Sequence, residues 1–296
     1  MAEEPQVVIR RHYPRAQRIT QVTSGYDNDV YIVDDEFVFK FPREPKRYAQ
    51  LLFEASLLRR LADGVTLSIP KVVHIDEHGY YGIFEYVTGI ELDPEDIRSL
   101  SDADTSNLAA CLVDFMREIN SSMSVEEFKN IAQIYPNQHD ETKYFQSMFE
   151  QGESEDNPHL NLYSQWFAKY QQIQSKIISM PKFIMHNDLH CNNLRFDKNH
   201  QLIGVFDFGE ACLDNVCTEL RYSYRYGEKL LDAVIDEMSG AFGDISADVI
   251  RIYSVAYELS VLMRSSRPEL GSSDHRRISD AKKLLGFWLG KNWVEV

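Results

Sequence analysis

The stretch His186-Asn187-Asp188-Leu189-His190-Cys191-Asn192-Asn193 sets an aspartate and an asparagine five residues apart, behind a histidine; Asp207-Phe208-Gly209 follows downstream. Between them Leu194-Arg195-Phe196 reads as a short strand, Asp197-Lys198-Asn199-His200 as a turn and Leu202–Phe206 as a second strand. A hairpin of this kind brings Asn193 and Asp207 to one edge. Their amide and carboxylate oxygens suit a hard cation such as Mg2+, which keeps most of its octahedral shell for water and phosphate. Asp188, on the loop ahead of Asn193, is then placed to accept the proton of an attacking hydroxyl. Each short motif is weak alone, but joined by this hairpin they specify a site.

The elements that must position these residues divide the chain. Val30-Tyr31-Ile32-Val33, a turn at Asp34-Asp35 and Phe37-Val38-Phe39-Lys40-Phe41 form a predicted hairpin, ended by Pro42 and Pro45. Lys40 falls on the strand face opposite Phe37, Phe39 and Phe41. From Lys46 to Ala62 the apolar residues Tyr48, Leu51, Leu52, Ala55 and Leu58 recur at helical spacing, with Glu54 beside that stripe. Strands are predicted over Lys71–Ile75 and Tyr80–Tyr86. After Thr88-Gly89 the character turns helical: Leu108, Cys111, Leu112, Phe115 and Ile119 mark an amphipathic helix capped near Ser101 or Asp102. Further helices are predicted over Leu162–Ser179, Ala247–Met263 and His275–Leu289. The layout is α+β: residues 1–87 form a small β-rich lobe, residues 85–89 a hinge, and residues 88–296 a larger, mainly helical lobe. A nucleotide is expected where such lobes meet.

Bulk composition narrows the partners. With 46 acidic against 31 basic residues the formal charge is −15, which disfavours nucleic acid and favours a cationic small molecule. Between residues 91 and 160 there are 16 acidic and 4 basic side chains. Apolar runs are far shorter than the roughly 20 residues that span a bilayer, so no membrane partner is expected. The acidic opening Met1-Ala2-Glu3-Glu4-Pro5 is no leader, and the expected address is the cytoplasm. Cys111, Cys191, Cys212 and Cys217 show neither a CxxC pair nor metal-ligand spacing, and disulfides are not expected. The sequence gives no oligomeric state.

The HxDxxxxN and Asp-Phe-Gly motifs resemble the catalytic and metal loops of the aminoglycoside phosphotransferase and choline kinase group, relatives of the protein kinases. The resemblance runs from about Gln21 to Leu220. It implies a protein-kinase-like two-lobe fold and transfer of the γ-phosphoryl group of ATP or GTP to a hydroxyl, with Asp188 as base and Asn193 and Asp207 holding magnesium. It also implies that Lys40 grips the α- and β-phosphates and is oriented by Glu54. Thr23-Ser24-Gly25-Tyr26-Asp27-Asn28-Asp29 takes the place of the phosphate-covering turn, with Ser24 and Gly25 as backbone contacts. Phe84-Glu85-Tyr86-Val87 resembles the inter-lobe hinge: backbone N–H and C=O groups at Glu85 and Val87 would read the purine edge, with Phe84 at the back wall.

The resemblance breaks after Asp207-Phe208-Gly209. Family members commonly continue Asp-Ala-x-x-Gly-Asp-Pro-x-x-Asp-Leu, whereas Glu210 and Glu219 keep the charge here and Asp214-Asn215-Val216 replaces Gly-Asp-Pro. Acceptor specificity does not carry over with the motif. An aminoglycoside antibiotic, held by carboxylates such as Glu210, Asp214 and Glu258, is the first expectation. Another small alcohol or sugar, a macrolide and a choline-like acceptor follow in that order. A kinase-shaped nucleotide-binding module without turnover is the non-enzyme alternative. Lys40, Glu54, Asp188, Asn193 and Asp207 all carry suitable side chains against it.

Overall fold

The computed structural model describes residues 4–22, 27–78, 80–135, 150, 160–238, 240–243, 245–265, 278–279 and 281–285. It divides into two compact units, one of residues 1–138 and 183–213, the other of residues 139–182 and 214–296.

The first unit opens with α1 (Pro5–His12), begun by a proline whose missing N–H costs a helix start nothing. Five antiparallel strands follow: β1 (Ile19–Val22), β2 (Asn28–Val33), β3 (Phe37–Pro42), β4 (Val72–Ile75) and β5 (Gly82–Glu85), in the order β1-β2-β3-β5-β4. The expected β2–β3 hairpin forms, pairing Val30 with Lys40. Asp34 and Asp35 both take positive φ (54° and 55°), as turns matched to the twist of a hairpin require. Phe39 and Phe41 join Val8, Ile9, Val33 and Ile83 in one core cluster, so one sheet face is sealed and Lys40 is left on the other. α2 (Pro45–Leu61) buries Leu51, Phe53, Ala55 and Leu58, but also the polar Gln50 and Glu54.

Three helices continue this unit. α3 (Pro94–Arg98) is closed by a capping box from Asp93. α4 (Asp102–Ser122) is capped by Ser101, whose side chain accepts from the Asp104 N–H. α5 (Val125–Ala132) has a capping box between Ser124 and Glu127. After β6 (Phe183–Met185) comes the expected hairpin, β7 (Leu194–Phe196) against β8 (Leu202–Val205), with Leu194 opposite Val205.

In the second unit α6 (Leu160–Ser179) and α9 (Ala247–Ser265) are joined through buried aromatics. The Trp166 indole donates to the Ile252 carbonyl at 2.9 Å and the Tyr163 hydroxyl to that of Leu259. A short α7 (Val216–Glu219) and α8 (Glu228–Met238) belong to the same unit, where residues 278–279 and 281–285 are also helical. Most of the helix expected over His275–Leu289 lies outside the described residues. No helix among the described residues is long and apolar enough to cross a membrane.

Candidate active site

Every core site residue expected from the sequence falls in the first unit. Lys40 projects from β3 and donates to both Glu54 oxygens, at 2.7 and 2.9 Å, and to Asp207 Oδ1 at 2.9 Å. Burial disfavours the ammonium charge, but the carboxylates of Asp207 and Glu54 outweigh it and raise the Lys40 pKa above that of a free lysine. Burial also pushes Glu54 upward, against the opposing charge of Lys40. Glu54 is 4% exposed and Asp207 48%, so the lysine links a buried anchor to a solvent-facing carboxylate.

The loop from His186 to Asn193 is fixed largely by its own side chains. Asn193 Nδ2 donates to both the backbone oxygen and Oδ2 of Asp188, each at 2.9 Å. His190 Nε2 lies 3.4 Å from the same Oδ2. Cys191–Asn193 form one 3-10 turn that carries Asn193 back toward Asp188. Hydrogen bonds join this loop to the one bearing Asp207. The Phe206 N–H donates to the Asn193 carbonyl at 3.1 Å, extending the β7–β8 ladder by one rung, and Asn187 Nδ2 donates to the Glu210 carbonyl at 3.2 Å. Asn187 and Asp207 both adopt left-handed backbone conformations, with φ of 64° and 71°. Such strain in non-glycine residues clusters where surrounding bonds over-determine the backbone.

His186 sits behind the loop, buried, with its ring 4.5 Å from that of Phe208. Its Nδ1 accepts the Asp188 N–H at 3.2 Å, which places the ring proton on Nε2, and Nε2 donates to the Phe206 carbonyl at 3.2 Å. Burial lowers its pKa to about 4, so it serves as a neutral bridge between the two loops.

The donor chemistry fits magnesium. With Nδ2 of Asn193 engaged by Asp188, its Oδ1 remains for a cation, and Asp207 offers a half-exposed carboxylate. No group of three or more histidine, cysteine, aspartate or glutamate side chains suited to a metal occurs among the described residues. An ion held by one or two protein oxygens plus phosphate needs no such cage.

Elsewhere the placement is mixed. Phe84 is buried, with the Lys40 ammonium 5.5 Å from its ring centre. The Glu85 N–H is already engaged by the Lys71 carbonyl at 2.8 Å, and Val87 is buried beside Gly204. Ser24 and Gly25 lie outside the described residues. Glu210 accepts from Gln50 at 2.7 Å. Asp214 and Glu258 fall in the second unit: Asp214 accepts from the Asn215 N–H at 2.7 Å, and Glu258 is held bidentately by Arg225 at 2.8 and 2.9 Å. Sequence reasoning missed Asp27, Arg47, Gln50 and His190. Polar residues at 47, 50 and 54, spaced three and four apart along an apolar helix, were the available signal.

Comparison with known proteins gives the family and the fold. The model of the phosphotransferase enzyme family, abbreviated APH, matches residues 18–253. A GDP and kanamycin complex of an aminoglycoside phosphotransferase of the 2'' type superposes with a TM-score of 0.81 at 21% identity, covering 97% of this chain and 98% of that chain. A streptomycin–ATP ternary complex of another 2'' enzyme gives 0.65 at 17% identity over 97% of each chain. A type I macrolide 2'-phosphotransferase gives 0.66 at 15% identity, over 96% of this chain and 98% of that one. The chain belongs to the phosphotransferase enzyme family, is a phosphotransferase, and has the protein-kinase-like fold of the structures it resembles.

Proposed function

We propose that this enzyme transfers the γ-phosphoryl group of ATP or GTP to a hydroxyl of an aminoglycoside, in the cytoplasm, with Asp188 as catalytic base. The observation that carries the reading is the stitching of the Asp188–Asn193 loop to the turn bearing Asp207, whose carboxylate Lys40 holds.

The acceptor hydroxyl gives its proton to the Asp188 carboxylate while its oxygen bonds to the γ-phosphorus. The bond from that phosphorus to the β–γ bridging oxygen breaks, and the nucleoside diphosphate leaves with the electron pair. Asn193 holds the Asp188 carboxylate in one orientation, so little freedom is lost when the hydroxyl arrives. Lys40, kept charged by its two carboxylates, grips the α- and β-phosphates. Asn193 and Asp207 are the ligands for magnesium, which when bound neutralises charge on the phosphates.

Residues 1–87 serve as the nucleotide-binding lobe, with the hinge near 85–89, and residues 88–296 as the catalytic and acceptor-binding lobe. The Glu85 carbonyl and Val87 N–H read the purine, Phe84 backs it, and Ser24 and Gly25 contact phosphate. A formal charge of −15 and the likeness in fold to a kanamycin complex support a cationic acceptor. Among the carboxylates expected to hold it, Glu258 already pairs with Arg225 and Glu210 stands 3.8 Å from Arg47, whereas Asp214 is bonded by the neutral Asn215.

The test is a phosphotransfer screen with ATP and with GTP over kanamycin, a macrolide, choline and a simple sugar. Transfer to kanamycin above the others is expected. Transfer only to one of the others would replace the acceptor, and no transfer with any pair would overturn the reading.

A further inference from the structure

One face of α2 reads the turn after Asp207 residue by residue. Glu54 Oε1 accepts from the Phe208 N–H at 3.2 Å. Gln50, one turn earlier, donates through Nε2 to the Gly209 carbonyl at 3.1 Å and to Glu210 Oε1 at 2.7 Å. Arg47, a turn before that, donates from Nη1 to Gln50 Oε1 at 2.7 Å and stands 3.8 Å from Glu210 Oε1. Its Nη2 lies 2.7 Å from Asp27 Oδ1, just ahead of β2. Gln50 is 7% exposed and its amide has a single sensible orientation, because Nε2 faces two acceptors and Oε1 a donor. Gly209 makes the approach possible: a Cβ there would meet Gln50 Nε2 at 3.2 Å. The turn so held is the one that keeps Asp207 in the left-handed region (φ 71°, ψ 66°), a backbone state that an aspartate leaves readily unless its neighbours fix it.

We propose that Gln50 and Arg47 are positioning residues for Asp207, holding the Phe208-Gly209-Glu210 turn so that the Asp207 carboxylate is presented to the magnesium–nucleotide, with Asp27 tethering Arg47. This rests on the phosphotransferase reading, in which Asp207 is the metal ligand. Both act on Asp207 through the turn. Their loss therefore lowers affinity for the metal-bearing nucleotide while leaving the metal-free one alone. Partners of this kind around a ligand typically change metal affinity by about 10–100-fold.

The experiment is calorimetric binding of ADP and GDP, each with magnesium and with EDTA, to the full-length wild type and to Gln50→Leu, Arg47→Gln and Asp207→Asn. Gln50→Leu keeps side-chain volume in a buried place; Arg47→Gln removes a partly exposed group and retains a good helix former, so at least one variant folds like the parent. The wild-type ratio of affinities, magnesium over EDTA, is expected to fall on the order of tenfold in both positioning variants and further in Asp207→Asn. EDTA values should stay level. A purely structural role would lower melting temperature and leave the ratio unmoved, which would overturn this inference alone. A wild type with no affinity for either nucleotide would overturn the phosphotransferase reading and this inference with it.

Discussion

Lys40 and Asp207, 167 residues apart in sequence, are joined by a 2.9 Å ion pair while the same ammonium holds both oxygens of Glu54. The buried partner is Glu54, so removing the lysine leaves an uncompensated carboxylate in the interior. Lys40→Met should destabilise the protein by about 3 kcal/mol, at the lower end for broken buried pairs because Asp207 is half exposed. The double change Lys40→Met, Glu54→Leu should recover part of that loss, with the Phe208 N–H left without its Glu54 acceptor, while remaining inactive. Urea unfolding of the three proteins decides it: a single variant as stable as the parent would show that Glu54 is not held by Lys40.

His186 gives acid sensitivity a definite sign. Its folded-state pKa, about 4 against a usual 6.5, is depressed by burial, so between those values the unfolded chain binds a proton that the folded chain refuses. Stability contributed by the neutral ring is fully present above about 6.5 and lost as pH falls toward 4. The linkage amounts to about 1.4 kcal/mol per pH unit over that window. Unfolding free energies from urea denaturation of wild type and His186→Gln, compared at neutral pH and at about pH 5, should converge by roughly 2 kcal/mol as the pH falls. Parallel behaviour would mean the ring is not buried in its neutral form.

Gly204, on β8, packs against Val87. A Cβ there would lie 2.4 Å from Val87 Cγ1 and 3.2 Å from the Ser68 carbonyl oxygen. Gly204→Ala should therefore cost about 1–3 kcal/mol by overpacking and displace Val87. Nucleotide affinity in EDTA should fall, in contrast to the Gln50 and Arg47 variants. Unchanged affinity would remove Val87 from the purine-binding edge.

What the sequence made legible was local. The β2–β3 hairpin, the β7–β8 hairpin and the placing of Asn193 and Asp207 at one edge all follow from alternation, turn residues and spacing within a few tens of positions. The opposite faces of Lys40 and Phe39 follow from strand geometry alone. What stayed hidden depends on distant contacts. Gln50 and Arg47 read as ordinary polar helix residues until the turn at Gly209 is set against them, more than 150 residues downstream. The pairing of Glu258 with Arg225 was likewise invisible, because a carboxylate on an acidic chain looks available until its partner is located. The left-handed backbone of Asp207 was hidden for another reason: aspartate enters positive φ more readily than most residues, as Asp34 and Asp35 do, but its presence alone does not mark where.

The most direct measurement is the rate of kanamycin-dependent release of nucleoside diphosphate by wild type and by Asp188→Asn, with magnesium–nucleotide affinity measured on the same samples. Loss of a positioned base should reduce kcat by about 10²–10⁴-fold, with nucleotide affinity changed less than about twofold. Comparable rates in the two proteins would contradict the assignment of proton transfer to Asp188.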